Sequence, residues 1–236
     1  MEPGRVICAR TMLAAAAAAL FLYSPLAAAD SRQLSRHEKC LLGLFYKDQA
    51  LNDGKVVNGF PAMVAHDPVM TGIVHIALKR KYGVTIGSEM FFPSGELDTR
   101  TKSGMVWLAH EMKHVAQAGV FGPPQDFLQA YSSTIRDGLL SGDGGDAAYM
   151  SSPFETDARA VAAAFEVLMS RNGEIGSALS SGDPDEAVCG LVNDRSQEYK
   201  ALLVRELGGK ERETRKFTFP SYPFLLPKRV TYTFYK

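Results

Sequence analysis

Two histidines set four residues apart, inside a stretch whose apolar residues recur at helical spacing, constrain this chain more tightly than any other feature. His110-Glu111-Met112-Lys113-His114 reads H-E-x-x-H. Met105, Leu108, Ala109, Met112, Val115 and Ala116 make an apolar stripe, and His110, His114 and Gln117 a polar stripe beside it. The segment is therefore expected to be a helix with one face in a core and its flank on the floor of a cleft. Four residues are just over one turn, so both imidazoles share a face, with Cβ atoms about 5–6 Å apart. Both can then reach one ion at a Zn–N distance of about 2.0–2.1 Å. Glu111 stands one residue along, where its carboxylate can touch a metal-bound water without taking a coordination position. The competing reading is two histidines in ordinary helix contacts. A chance H-E-x-x-H in a chain with five histidines is on the order of one in a hundred. His37, His66 and His75 lie in no such arrangement and read as surface or packing residues.

Around this helix the pattern alternates short extended segments with amphipathic ones. Residues 35–50 read as a helix, Asn52-Asp53-Gly54 as a turn and Lys55 to Val64 as extended. Asp67-Pro68 opens a helix running to about Tyr82. Val84 to Phe92 is rich in branched and aromatic residues and reads as a strand or short hairpin. The H-E-x-x-H helix runs from about Ser103 to Ala118, and further helices cover about 125–140, 153–171 and 184–207. Val230 to Tyr235 reads as a late strand in a tail rich in proline and aromatics. The expected fold class is α+β: one mostly helical domain with a small sheet beside the histidine helix.

The chain has 236 residues, 46% hydrophobic and 22% charged, with Lys plus Arg equal to Asp plus Glu at 26 each. Those values fit one globular domain, and the balanced charge argues against nucleic acid as partner. Residues 1–29 read as a secretory signal peptide. Arg5 and Arg10 precede an apolar run, and Ala27-Ala28-Ala29 offers small residues for cleavage before Asp30. An uncut membrane anchor is the competing reading. No later stretch is apolar enough to span a bilayer. The expected location is therefore outside the cytoplasm, periplasmic or secreted, with residues 30–236 as the working domain. Cys8 leaves with the leader. Cys40 and Cys189 remain, an even count that permits one disulfide in an exported chain. Two buried thiols that never meet are the alternative.

A catalytic zinc takes three protein ligands and leaves one position open. Glu155, near the start of a proline-opened helix, is the preferred third ligand. Its other reading is a carboxylate favouring the positive end of its own helix. Asp143 and Asp146, in a glycine-rich loop, are weaker candidates. Asp157 is a candidate to hold a ligating histidine through its second ring nitrogen. Tyr149 and Tyr131 are available as donors to a developing oxyanion, each with packing as the plainer role.

The segment Val84 to Gln117, with Thr85-Ile86-Gly87 and Leu108-Ala109-His110-Glu111-Met112-Lys113-His114-Val115-Ala116-Gln117, resembles small gluzincin-type zinc peptidase domains. These include the bacterial H-E-x-x-H domain associated with extracellular contractile injection systems. Pro153-Phe154-Glu155-Thr156-Asp157-Ala158 is similar to the P-x-E-x-x-A segment whose glutamate is the third ligand in that group. The likeness covers residues 84–160. It implies a zincin-like fold, one zinc ion held by His110, His114 and Glu155, and Glu111 as general base in peptide hydrolysis. It also implies that residues 86–92 bind an extended peptide or protein substrate by strand pairing. Thermolysin-like relatives carry an aspartate four residues after the glutamate ligand, where this chain has Arg159. Two other readings compete with the peptidase: a non-catalytic zinc-containing binding or structural module of the cell envelope, and a helical interaction protein without metal.

Overall fold

A short mixed sheet packs on one side of a long central helix, and a helical layer covers the other. The computed structural model describes residues 30–59, 71–72, 74, 79–93, 95–219 and 227–236. The expected leader, His66, His75 and most of the helix expected over 67–82 lie outside them. In chain order the elements are β1 (Asp30–Gln33), α1 (Arg36–Leu42), α2 (Asp48–Asp53), β2 (Lys55–Asn58), β3 (Val84–Ile86) and β4 (Glu89–Phe92). There follow α3 (Lys102–Phe121), α4 (Pro124–Leu140), α5 (Gly145–Ser151), α6 (Pro153–Arg171), α7 (Gly173–Ser180), α8 (Asp185–Asp194) and α9 (Ser196–Gly208). The antiparallel hairpin of β5 (Arg212–Phe219) and β6 (Lys228–Tyr235) ends the chain. The fold is α+β and mostly helical, as the periodicity predicts.

The four-stranded sheet has the order β1-β2-β4-β3, with β2 and β4 parallel and the outer pairs antiparallel. Strand alternation sorts β4 between two clusters. Met90 and Phe92 enter the main core with Val56 and with Met105, Leu108 and Met112 of α3. Phe91 faces the other way, onto Val57 and Val84. Helix α6 lays Val161, Ala164, Phe165 and Leu168 into the same main core. A second cluster, rich in aromatic residues, joins the end of α3, α4, α5, the start of α6 and the C-terminal hairpin. Phe154 sits at its centre, its ring 4.9 Å from Phe234 and 5.4 Å from Phe127, both edge-on.

Helix α3 is fixed at both ends. The Thr101 side chain accepts from the Gly104 backbone N–H at the N-terminus. Gly122, at φ +87°, ends the helix in a conformation that disfavours a side chain. Gly104 is required by packing, because a Cβ there would lie 1.8 Å from the Asp98 carbonyl oxygen. Cys40 and Cys189 are disulfide-bonded, tying α1 to α8 with Cα atoms 5.5 Å apart. Beside that bond, the buried Glu38 carboxylate takes two hydrogen bonds from Arg32 at 2.7 and 2.8 Å and one from the Ser35 backbone N–H at 2.7 Å. No described helix is long and apolar enough to cross a membrane.

Several expectations on local structure fail for identifiable reasons. The helix expected over 35–50 is two helices broken at Gly43, whose added Cβ would meet the Lys39 carbonyl oxygen at 2.9 Å. The break turns Tyr46 inward, where its hydroxyl donates to the Ala109 carbonyl at 2.8 Å. The helix expected to fill 184–207 breaks at Arg195, which caps α8 and α9 at φ −119° with no glycine or proline to mark it. Helices α5 and α7 were not expected. Each is at most eight residues long and opens at a glycine, so its turns read as loop. Strand β5 was missed because its first five residues are charged or polar, and only pairing with β6 makes it a strand.

Candidate metal centre

Helix α3 brings the two histidines to one side. Their ring centroids lie 5.1 Å apart and their planes cross at 78°. Helix α6 supplies the carboxylate from its first turn. Glu155 Oε2 lies 3.4 Å from His110 Nε2, and Oε1 lies 3.1 Å from His114 Nε2. The ligand atoms of all three residues fall within 4.8 Å of one another. Atoms that close together can share one ion at the usual ligand distance of about 2.0–2.1 Å. The donor set of two imidazoles and one carboxylate can hold a divalent metal ion. Of the alternative ligands, Asp146 pairs instead with Arg80, and Asp143 is exposed and outside the cluster.

The surroundings fix each ligand. His114 Nδ1 lies 2.8 Å from Gln117 Oε1. Gln117 is fully buried and donates from Nε2 to Asp157 Oδ2 at 2.8 Å and to the Phe154 carbonyl at 3.2 Å. Two acceptors on that nitrogen fix the amide orientation, so its oxygen faces the ring. Nδ1 must then carry a proton, so Nε2, which faces Glu155, is the nitrogen that an ion can take by displacing its proton. The expectation that Asp157 holds a histidine directly is corrected: Gln117 stands between them. Asp157 has no exposed surface. It also accepts from Tyr232 Oη at 3.0 Å and the Tyr235 backbone N–H at 3.1 Å, and pairs with Lys113 Nζ at 3.2 Å. The last strand of the chain is thereby tied to the environment of the ligands.

Glu155 is buried, yet its carboxyl is held well below the usual carboxylate range. Burial pushes it up, but the charge of His114 and hydrogen bonds from both histidines outweigh that. For His114 burial pushes down, but Glu155 raises the imidazole to about 9. Tyr131 donates to Glu155 Oε1 at 2.5 Å. The expected choice between packing and oxyanion donor is therefore resolved for Tyr131 as a third role, orienting the carboxylate. Tyr149 stacks on Tyr82, with ring centroids 6.5 Å apart, and lines the cleft beside Glu155. Burial, then the negative charge of Glu155, pushes both phenols well above their usual range, so each stays a proton donor.

Glu111 occupies the flank predicted for it. Its side chain is buried against β3, where Thr85 Oγ1 donates to Oε2 at 2.7 Å. Gly83 is the other constraint: a Cβ there would sit 2.5 Å from Glu111 Oε1. Glu111, His114, Tyr131, Tyr149 and Glu155 share a cavity of about 20 Å³. One water needs roughly 10–15 Å³ and two to four polar partners, so the space suits a single molecule. An open cleft of about 730 Å³ adjoins it, lined by His110, Glu111, Trp107, Tyr149, Glu155 and Arg159.

Strand geometry differs from the expectation for residues 86–92. Strand β4 is paired on both sides, to β2 and to β3. The sheet edge nearest α3 is the three-residue β3, and it carries Thr85. Sequence reasoning missed Thr85, Gly83 and the relay through Gln117. Only Gln117 left a signal, as a polar residue one turn beyond His114 on the same stripe. Arg159, where thermolysin-like domains have an aspartate, faces the site: its guanidinium lies 3.8 Å from Glu155 Oε2.

Residues 80–120 match the family described as the eCIS core domain. The match takes in β3, β4, His110, Glu111 and His114, and ends before Glu155. Over that segment the chain is related to the domain associated with extracellular contractile injection systems. No curated protein and no solved structure matches the chain.

Proposed function

We propose that this protein is an exported zinc metallopeptidase. The observation that carries the reading is the placement of Glu111 and a water-sized cavity directly beside the His110, His114 and Glu155 cluster. Two imidazoles and one carboxylate with room for a water are the donor set of hydrolytic zinc sites. Bound zinc supplies a water of lowered pKa and polarises the scissile carbonyl. With Oε2 engaged by Thr85, Glu111 takes the water proton on Oε1 and passes it to the leaving amine. Tyr149, a protonated phenol on the cleft wall, is placed to donate to the developing oxyanion. Gln117 keeps His114 in the ligating tautomer. The adjoining cleft is wide enough to admit a peptide segment of a protein substrate. Export is supported by the Cys40–Cys189 bond, since such bonds persist in oxidising compartments.

Purified protein should carry one zinc and cleave an unfolded protein substrate. Glu111→Gln should keep the zinc and lose cleavage. Equal cleavage by that variant would end the peptidase reading. Full zinc occupancy without cleavage in either form would favour the non-catalytic envelope module, a reading to which Arg159 lends one observation: a cation facing Glu155 where thermolysin-like domains have an acid.

A further inference from the structure

A second concavity, of about 1150 Å³, opens elsewhere on α3 and includes none of His110, Glu111, His114 or Glu155. Phe45, Val115, Ala116 and Leu203 are among its apolar lining. Two aliphatic side chains at its rim are unusually open to water, Val120 at 54% and Val204 at 70% exposed. Scattered exposed valines need no explanation, but here two from different helices flank one groove.

The charge around it is one-sided. Lys47, Lys55, Lys200 and Arg212 line the groove, and among the described residues none of the four joins an ion pair. Lys113 also lines it, but its ammonium is committed to Asp157. Asp53 is the one acidic residue in the lining. The chain as a whole has equal numbers of basic and acidic residues, so composition does not produce this excess. Among the cations outside the groove, Arg32, Arg36 and Lys228 are paired with Glu38, Glu186 and Asp126.

We propose that this groove docks an extended segment of a partner protein in which acidic residues alternate with large apolar ones. The apolar side chains cover the aliphatic lining and the carboxylates meet the four cations that lack an acidic partner, of which Arg212 also lies over the Tyr235 ring at 5.2 Å. A nucleic-acid backbone would satisfy the cations but leave the aliphatic lining wet. A bilayer surface is too flat to fill a concavity. The site stands apart from the metal centre, so this inference does not rest on the peptidase reading.

The test is fluorescence anisotropy on the full chain. The probe is a short fluorescein-labelled peptide of glutamates alternating with leucine and phenylalanine. Saturable binding is expected, weakening about tenfold from low to high salt. The double variant Lys47→Glu, Lys200→Glu should weaken it about tenfold or more. Both positions are exposed, and an unchanged thermal melt will show that the fold is kept. His110→Ala should bind the probe like the parent chain. The proposal is overturned if a lysine-for-glutamate probe binds as tightly, or if the charge-reversed variant binds unchanged. It also falls if a serine-for-apolar probe binds equally. Capture by phosphatidylglycerol vesicles with no peptide binding would assign the surface to a membrane instead.

Discussion

Helix α3 has two kinds of surroundings, and their chemistry is opposite. On the ligand side the buried polar groups are committed. His114 meets Gln117, Gln117 meets Asp157, Glu155 meets Tyr131, and Glu111 meets Thr85. Among the described residues no buried side-chain nitrogen or oxygen lacks a partner. On the groove side, four cations have no counter-ion and two valines face water. On the proposed peptidase reading the ligand side must hold its groups before substrate arrives, because reorganisation during a reaction costs rate. A docking surface can leave its charges solvated until a partner neutralises them, because its partner supplies the missing half.

The sharpest break in this comparison comes from Glu111. Replacement by glutamine should lower kcat for peptide cleavage by about 10²–10⁴-fold, the range for losing a general base, with zinc content unchanged in metal analysis. Gly83→Ala tests the same group without replacing it. The new Cβ displaces the Glu111 carboxylate, so kcat should fall by about 10–100-fold while zinc stays bound. Gln117→Met keeps the volume and removes the amide. Zinc affinity, read by competition with a chelator, should drop about 10–100-fold. Equal affinity would show that the relay to Asp157 is packing alone.

Two smaller effects lie outside the ligand side. The folded-state pKa of Glu38 is lowered: burial raises it, but hydrogen bonds from Arg32 and Thr99 prevail. A carboxyl lowered on folding contributes its stability in full above its unfolded pKa and loses it as pH falls through the folded value. Acid titration followed by circular dichroism should therefore show unfolding beginning below the usual carboxylate range, and Glu38→Gln should flatten that slope. Smallest of all, Lys200→Glu in the groove should shift stability by less than about 0.5 kcal/mol and leave zinc binding unchanged. A larger loss would show that the groove is structural and sharpen the contrast away.

Legibility in the sequence tracked range. His110, Glu111 and His114 could be read because a helix repeats every 3.6 residues, so their spacing alone aims them. The hairpin at 84–92 was legible for a similar reason, with Gly87 at φ +63° allowing its turn. Glu155 and the Cys40–Cys189 pair were readable as residue types, yet their meeting was not, since separations of 41 and 149 residues carry no geometry by themselves. The fine structure of the site stayed hidden. Thr85 is an ordinary strand residue and Gly83 an ordinary helix stop until the sheet edge lies against α3.

The sequence by itself determined that a helix offers two imidazoles and a flanking carboxylate on adjoining faces, because backbone periodicity is local and needs no partner. Only the tertiary structure decided which distant carboxylate closes the cluster, which tautomer His114 holds, and that the last strand supports the ligands through Asp157. Those outcomes depend on which surfaces are excluded from water together. Burial is a property of the packed chain, and no short stretch of residues encodes it.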